Sequence, residues 1–251
     1  MSPDLSGQSI LITGAGRGLG KSVAKHLARC GAIMGVNDID AAACQAAAEE
    51  IKANGGRAHA YPGDVAGRDA FMAVADAFAA KAGRIDAVIN NAMILRYGPI
   101  EGVEEALVDA MLDIGLKAPL WGAQALLKHM DPERGGSIIN MASPVVGRGY
   151  PNTVVYSTVK GGIVTMTKVL AAELGPRKVR VNAVSPGSVP TPGALGLNDP
   201  AEYERRARTI PLRRLGHEDD NANAVAFLLS PEASFITGEI LNVDGGISAA
   251  G

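Results

Sequence analysis

Short runs of aliphatic and β-branched residues alternate along this chain with longer stretches rich in Ala, Glu and Lys, and that alternation narrows the choice of fold more than any other feature. The runs are Ser9–Thr13, Ala32–Asn37, Ala58–Pro62, Ala87–Asn90, Ser137–Met141, Arg180–Val184 and Glu239–Val243. Between them lie stretches such as Ala41–Ala53 and Asp69–Ala82, built of good helix formers and in several cases ending at a glycine. Strands covered on both faces read as near-continuous apolar runs, and parallel strands need long crossovers between them. Seven such runs joined by helices predict an α/β fold, a doubly wound parallel sheet of seven strands. The 251 residues are enough for one such domain with a buried core, and none of the chain reads as a linker.

The formal net charge of −2 gives no broad basic field, which speaks against nucleic acid or an anionic membrane as partner. The start, MSPDLSGQ, lacks the pattern of a signal peptide, and no apolar run reaches the roughly 18 residues of a membrane span. Cys30 and Cys44 form no C-x-x-C pair, and His26, His59, His129 and His217 show no metal-ligand spacing. A cytoplasmic protein without metal is the expectation.

The first run leads into Thr13-Gly14-Ala15-Gly16-Arg17-Gly18-Leu19-Gly20 and then a helical stretch, Lys21–Arg29. Glycines let the backbone approach a pyrophosphate closely, and the N–H groups of a helix N-terminus hold its charge. The spacing is T-G-x-x-x-G-x-G rather than G-x-G-x-x-G. About 20 residues on, Asp38 closes the second strand, where a carboxylate can accept from a ribose hydroxyl and would repel a 2′-phosphate. Asp38 therefore argues for NAD, with NADP second; Arg17 pulls the other way, or is simply a solvated side chain.

Tyr156 and Lys160 lie four apart on a helix predicted over Val154–Leu174, so they share a face. An ammonium beside a phenol stabilises the phenolate and lowers the tyrosine's pKa. Ser143, at the end of the fifth strand, can donate to a substrate oxygen. Alone, Tyr-x-x-x-Lys arises by chance in many helices.

With these residues in view the chain resembles the short-chain dehydrogenase/reductase family over nearly its whole length. The resemblance rests on Thr13–Gly20, Asp38, Asp64-Val65, Asn90-Asn91-Ala92, Ser143, Tyr156 and Lys160, Pro186-Gly187 followed by Thr191, and Ile236–Gly246. It implies a single Rossmann domain, a homotetramer, and a substrate-binding loop at about 188–212. It also implies that Asp64 and Val65 flank the adenine, that Asn91 lies by a ribose, and that Val189 and Thr191 meet the nicotinamide carboxamide. Gly14, Arg17, Gly18, Leu19, Pro186 and Gly187 complete the cofactor set. Tyr156 would be the acid/base, Ser143 would position the substrate oxygen, and Lys160 would hold the nicotinamide ribose.

Two positions depart from the family pattern. Met93 follows Asn90-Asn91-Ala92 where glycine is usual, and Gly115 stands where the family has an asparagine that helps hold a relay water. Glycine keeps the main-chain carbonyl at that place, so the relay is expected to be weakened or modified rather than lost. The function these residues imply is hydride transfer between NAD(H) and a secondary alcohol or ketone. The alternatives are an NADPH-dependent 3-oxoacyl-type carbonyl reductase and a nucleotide-binding regulator with weak turnover. Apolar candidates for the pocket wall (Met93, Ile94, Leu95, Pro144, Val145, Val146, Tyr150 and Ala194–Leu197) favour a neutral or mainly hydrophobic small molecule, with Ser143, Met93, Val145 and Tyr156 touching it. Arg96 and Arg148 could meet an acidic group.

Overall fold

A computed structural model describes residues 3–191 and 200–250. The first half runs β1 (Ser9–Ile12), α1 (Gly18–Arg29), β2 (Ile33–Asp38), α2 (Ala41–Ala53), β3 (Arg57–Pro62) and α3 (Arg68–Ala82). It continues through β4 (Ala87–Asn90), α4 (Glu105–Leu112), α5 (Ala118–His129) and β5 (Gly136–Met141). The remainder comprises α6 (Val154–Leu174), β6 (Val179–Pro186), α7 (Pro200–Thr209), α8 (Glu218–Leu229) and β7 (Ile240–Val243). The strands form one seven-stranded sheet in the order β3-β2-β1-β4-β5-β6-β7, parallel throughout.

The fold is the doubly wound sheet that the alternation of runs requires. Every residue of β1 and β4 is buried, because both faces of the central strands are covered. On one face Val23 and Leu27 of α1, Ala47 and Ile51 of α2, and Val225 and Leu229 of α8 share a core with Ile10, Ile12 and Met34. On the other, Phe71 and Phe78 of α3, Leu126 of α5 and Leu174 of α6 pack on Leu11, Val88 and Ile138. No helix among the described residues is long and apolar enough to cross a membrane.

The stretch 103–130 reads in sequence as one helical segment, but a π-helical turn, Asp113–Lys117, separates α4 from α5. Its cause is local. Pro119 has no N–H to give the carbonyl four residues back, that of Gly115, so the α-helical ladder cannot continue through this turn. Gly115 is buried, and there is no room for a side chain on it. An added Cβ would run into Cγ1 of Val159 on α6 and stand 2.9 Å from Sδ of Met93. The two departures from the family pattern are thus one packing unit, in which the methionine lies over the glycine.

Candidate active site

β1 and β4 are neighbours in the sheet, yet the chain leaves them toward opposite faces, which opens a crevice at their carboxyl ends. Thr13 joins the two ends: its Oγ1 accepts the N–H groups of Asn91 and Ala92, each at 3.1 Å. Asn91 returns its Nδ2 to the carbonyls of Thr13 and Gly14, both at 2.9 Å. Gly14 has φ +63, and a Cβ there would lie 2.8 Å from Cα of Ala92, so only glycine lets the turn sit on this strand end. Arg17 precedes α1, which has no side-chain cap and no acid in its first turn. Its first N–H groups therefore remain for an anion, and a dinucleotide pyrophosphate fits this cradle of bare backbone.

Asp38 buttresses the same turn. Its Oδ2 accepts the N–H of Gly16 at 2.8 Å and its Oδ1 that of Asp40 at 3.0 Å. Arg17 pairs with Asp40 on the exposed side of the turn. From the far side of the crevice Thr191 approaches Gly18, whose added Cβ would lie 3.4 Å from Cβ of Thr191. The Thr191 N–H donates to Val189 at 2.8 Å, and that of Gly187, just past Pro186, to Val243 at 2.9 Å.

Ser143 follows β5 and is 6 % exposed, with its hydroxyl near enough to Tyr156, in the first turn of α6, to favour the phenolate. One turn later Lys160 is equally buried; its Nζ donates 2.6 Å to the carbonyl of Met141 and stands 5.7 Å from the centre of the Tyr156 ring. A buried chain of amides fixes α6 against the sheet: Asn90 donates 2.8 Å to Asn140, and Asn140 donates 3.0 Å to Thr167. Burial pulls the Lys160 ammonium down to about 8. Burial also pushes the Tyr156 phenol up, with the Ser143 hydrogen bond opposing. The net direction is opposite to the lowering expected from Lys160, because burial is the largest influence on the phenol. The cation itself bonds to a strand carbonyl. A phenol held this way keeps its proton at neutral pH.

The other sequence-derived residues divide. Val65 turns inward, so only its backbone can face a ligand, and Leu19 packs partly buried against the other core. Asp64 accepts the N–H of Ala66 at 2.9 Å, and the Val145 N–H points at Ser143 Oγ, 3.5 Å away. Arg148 lies 5.5 Å over the Tyr150 ring, and Arg96 bonds to the carbonyl of Leu95 at 3.0 Å. Ala194–Leu197 lies outside the described residues. Sequence reasoning missed Tyr97, whose ring meets that of Tyr156 edge to face with centroids 5.5 Å apart. An aromatic residue in the segment leaving β4 was its only signal.

A glycine turn suited to a dinucleotide and a Ser143, Tyr156 and Lys160 cluster on the same sheet accord with an NAD(P)-dependent oxidoreductase, the class that the relatives show. A family model described as enoyl-(acyl carrier protein) reductase matches residues 14–248. The chain is 35 % identical over 243 residues to the 3-oxoacyl-[acyl-carrier-protein] reductase of Thermotoga maritima, covering 97 % of this chain and 98 % of that one. A short-chain dehydrogenase/reductase from Serratia marcescens superposes with a TM-score of 0.91 at 30 % identity, covering 97 % and 99 % of the two chains. A 3-ketoacyl-(acyl-carrier-protein) reductase from Brucella melitensis, solved with NADH, gives 0.90 at 36 % identity over 98 % and 100 %. The chain belongs to the short-chain dehydrogenase/reductase family.

The relatives overturn the preference for NAD. Among them 3-oxoacyl-[acyl-carrier-protein] reductases recur, a class characteristically specific for NADPH. The geometry supplies a reason why Asp38 misleads: each of its oxygens already accepts a backbone N–H, so the carboxylate braces the glycine turn. An acid at the end of β2 does not by itself decide between the two dinucleotides.

Proposed function

We propose that this protein reduces the ketone of a 3-oxoacyl-type substrate with NADPH. The observation that carries the reading is Tyr156 on α6 with buried Lys160 5.7 Å from its ring and buried Ser143 just past the end of β5, on the same sheet that bears the dinucleotide cradle. The dinucleotide, when bound, supplies the hydride. Ser143 and Tyr156 direct their hydroxyls at the carbonyl oxygen, and Tyr156 transfers its proton to that oxygen as negative charge develops there. The Lys160 ammonium then stabilises the phenolate left behind, a charge its distance from the ring allows it to feel. Met93, Ile94, Leu95 and Val145, all partly buried or at the surface of the crevice, suit an acyl chain as well as they suit a neutral ketone, and the relatives favour the acyl chain. Arg17, exposed at the turn, is the cation able to exchange Asp40 for a 2′-phosphate.

Initial rates with a 3-oxoacyl thioester and each reduced dinucleotide test this reading. A higher kcat/KM with NADPH, lost in Arg17→Ala, is the expected result. Faster turnover with NADH, or reduction of simple ketones but not of the thioester, refutes it.

A further inference from the structure

Three parts of the fold meet at Tyr97. Its ring stands edge-on to the ring of Tyr156, with centroids 5.5 Å apart and planes at 75°. The segment leaving β4 is held there by the N–H of Gly98, which donates 2.8 Å to the carbonyl of Asn152. Asn152 itself sits in the left-handed region, φ +68, just ahead of α6. α7 brings Tyr203 and Arg206 within electrostatic reach of the Tyr97 hydroxyl. Burial among these groups pushes that hydroxyl's pKa up, so it is neutral, while 41 % of the residue's surface stays open.

The Ser143 and Tyr156 hydroxyls fix where a carbonyl oxygen must lie, so the two substituents of the carbonyl carbon have to find room beside them. A ring packed on Tyr156 takes up one of those directions. We propose that Tyr97 is a specificity-determining residue, its ring being the wall that limits the width of the substituent on the carbonyl carbon. The assignment rests on the carbonyl-reductase reading above and narrows it: slender, unbranched 3-oxoacyl chains pass along this wall and groups branched next to the ketone do not.

The test compares wild type, Tyr97→Phe and Tyr97→Ala on two 3-oxo esters, one with a methyl and one with a tert-butyl group on the ketone. Tyr97→Ala raises the tert-butyl-to-methyl ratio of kcat/KM by about tenfold or more, in the range that a few methyl groups contribute in an apolar pocket. The change falls in KM, and Tyr97→Phe, which keeps the ring, leaves the ratio within about threefold. An unchanged ratio in Tyr97→Ala, or an equal shift in Tyr97→Phe, overturns the proposal. A second measurement needs no substrate. Ultraviolet titration of the tyrosines, with the step missing from Tyr156→Phe marking Tyr156, should show its midpoint fall toward the ordinary tyrosine value in Tyr97→Ala but not in Tyr97→Phe. A midpoint that Tyr97→Ala does not move means that the ring does not close over Tyr156 and sinks the proposal. Failure of the wild type to reduce either ester counts against the reductase reading alone.

Discussion

Replacing Gly115 by alanine tests the packing under the catalytic helix. The new Cβ would enter the space of Val159 Cγ1 and stand 2.9 Å from Met93 Sδ, where carbon and sulfur contacts ordinarily begin about 3.5–4 Å apart. Val159 is fully buried on α6, one residue before Lys160, and cannot swing away. Overpacking of this kind costs about 1–3 kcal/mol, and alanine in place of glycine in a helix returns roughly 1 kcal/mol. A net loss of up to about 2 kcal/mol remains, which for a chain of this size lowers Tm by up to about 8 °C. Thermal unfolding of Gly115→Ala, Val159→Ala and the double variant measures it. Val159→Ala removes the obstructing methyl, so the two substitutions should couple by about 1 kcal/mol or more. A Gly115→Ala protein more stable than wild type, with no coupling to position 159, would show that the helix gains its propensity term freely and that the packing reasoning is wrong.

Asp38→Ala releases the N–H groups of Gly16 and Asp40, so affinity for NADPH and NADH should fall together, by roughly tenfold or more given about 1.5–3 kcal/mol for a hydrogen bond to a charged group. Tighter NADPH with weaker NADH would instead place the carboxylate against the ribose. Glu50 on α2, held by Lys21 and Lys25 of α1, has its pKa lowered to about 2, so its contribution is present above the unfolded value near 4.5 and is lost as pH falls from there toward 2. The group is 36 % exposed and screened, so the effect is under about 1 kcal/mol. Wild type and Glu50→Gln should differ in Tm at neutral pH and converge near pH 2; a gap that persists there would contradict the assignment. Exposed Leu120 and Val169 on α5 and α6, and Phe235 ahead of β7, offer apolar surface to the homotetramer that the family resemblance implies, which sedimentation at micromolar concentration would reveal; a monomer would refute that assembly.

The fold was legible because a parallel sheet writes itself into the chain as separate apolar runs, and the helix over Val154–Leu174 coincides with α6. The glycine turn and the Tyr156/Lys160 pair were legible for a related reason: a fixed local spacing fixes their geometry. The break at Asp113–Lys117 was written only in Pro119, one residue inside an otherwise helical stretch. What could not be read depends on contacts remote in sequence. Of the two N–H groups that occupy Asp38, one comes from the glycine turn 22 residues away. The direction of the Tyr156 shift comes from burial, which exists only once the sheet, α6 and the segment after β4 have come together. Tyr97 gained its place through Gly98 and Asn152, two residues no short motif connects.

The central claim is that Tyr156 delivers the proton to a carbonyl oxygen while hydride arrives from the nicotinamide. Single-turnover oxidation of bound NADPH by a 3-oxoacyl thioester, in wild type and in Tyr156→Phe, tests it directly, because phenylalanine keeps the ring and removes only the hydroxyl. A rate at least about 10²-fold lower, with NADPH affinity unchanged, is the result this account requires. A Tyr156→Phe protein that turns over at near the wild-type rate would contradict it.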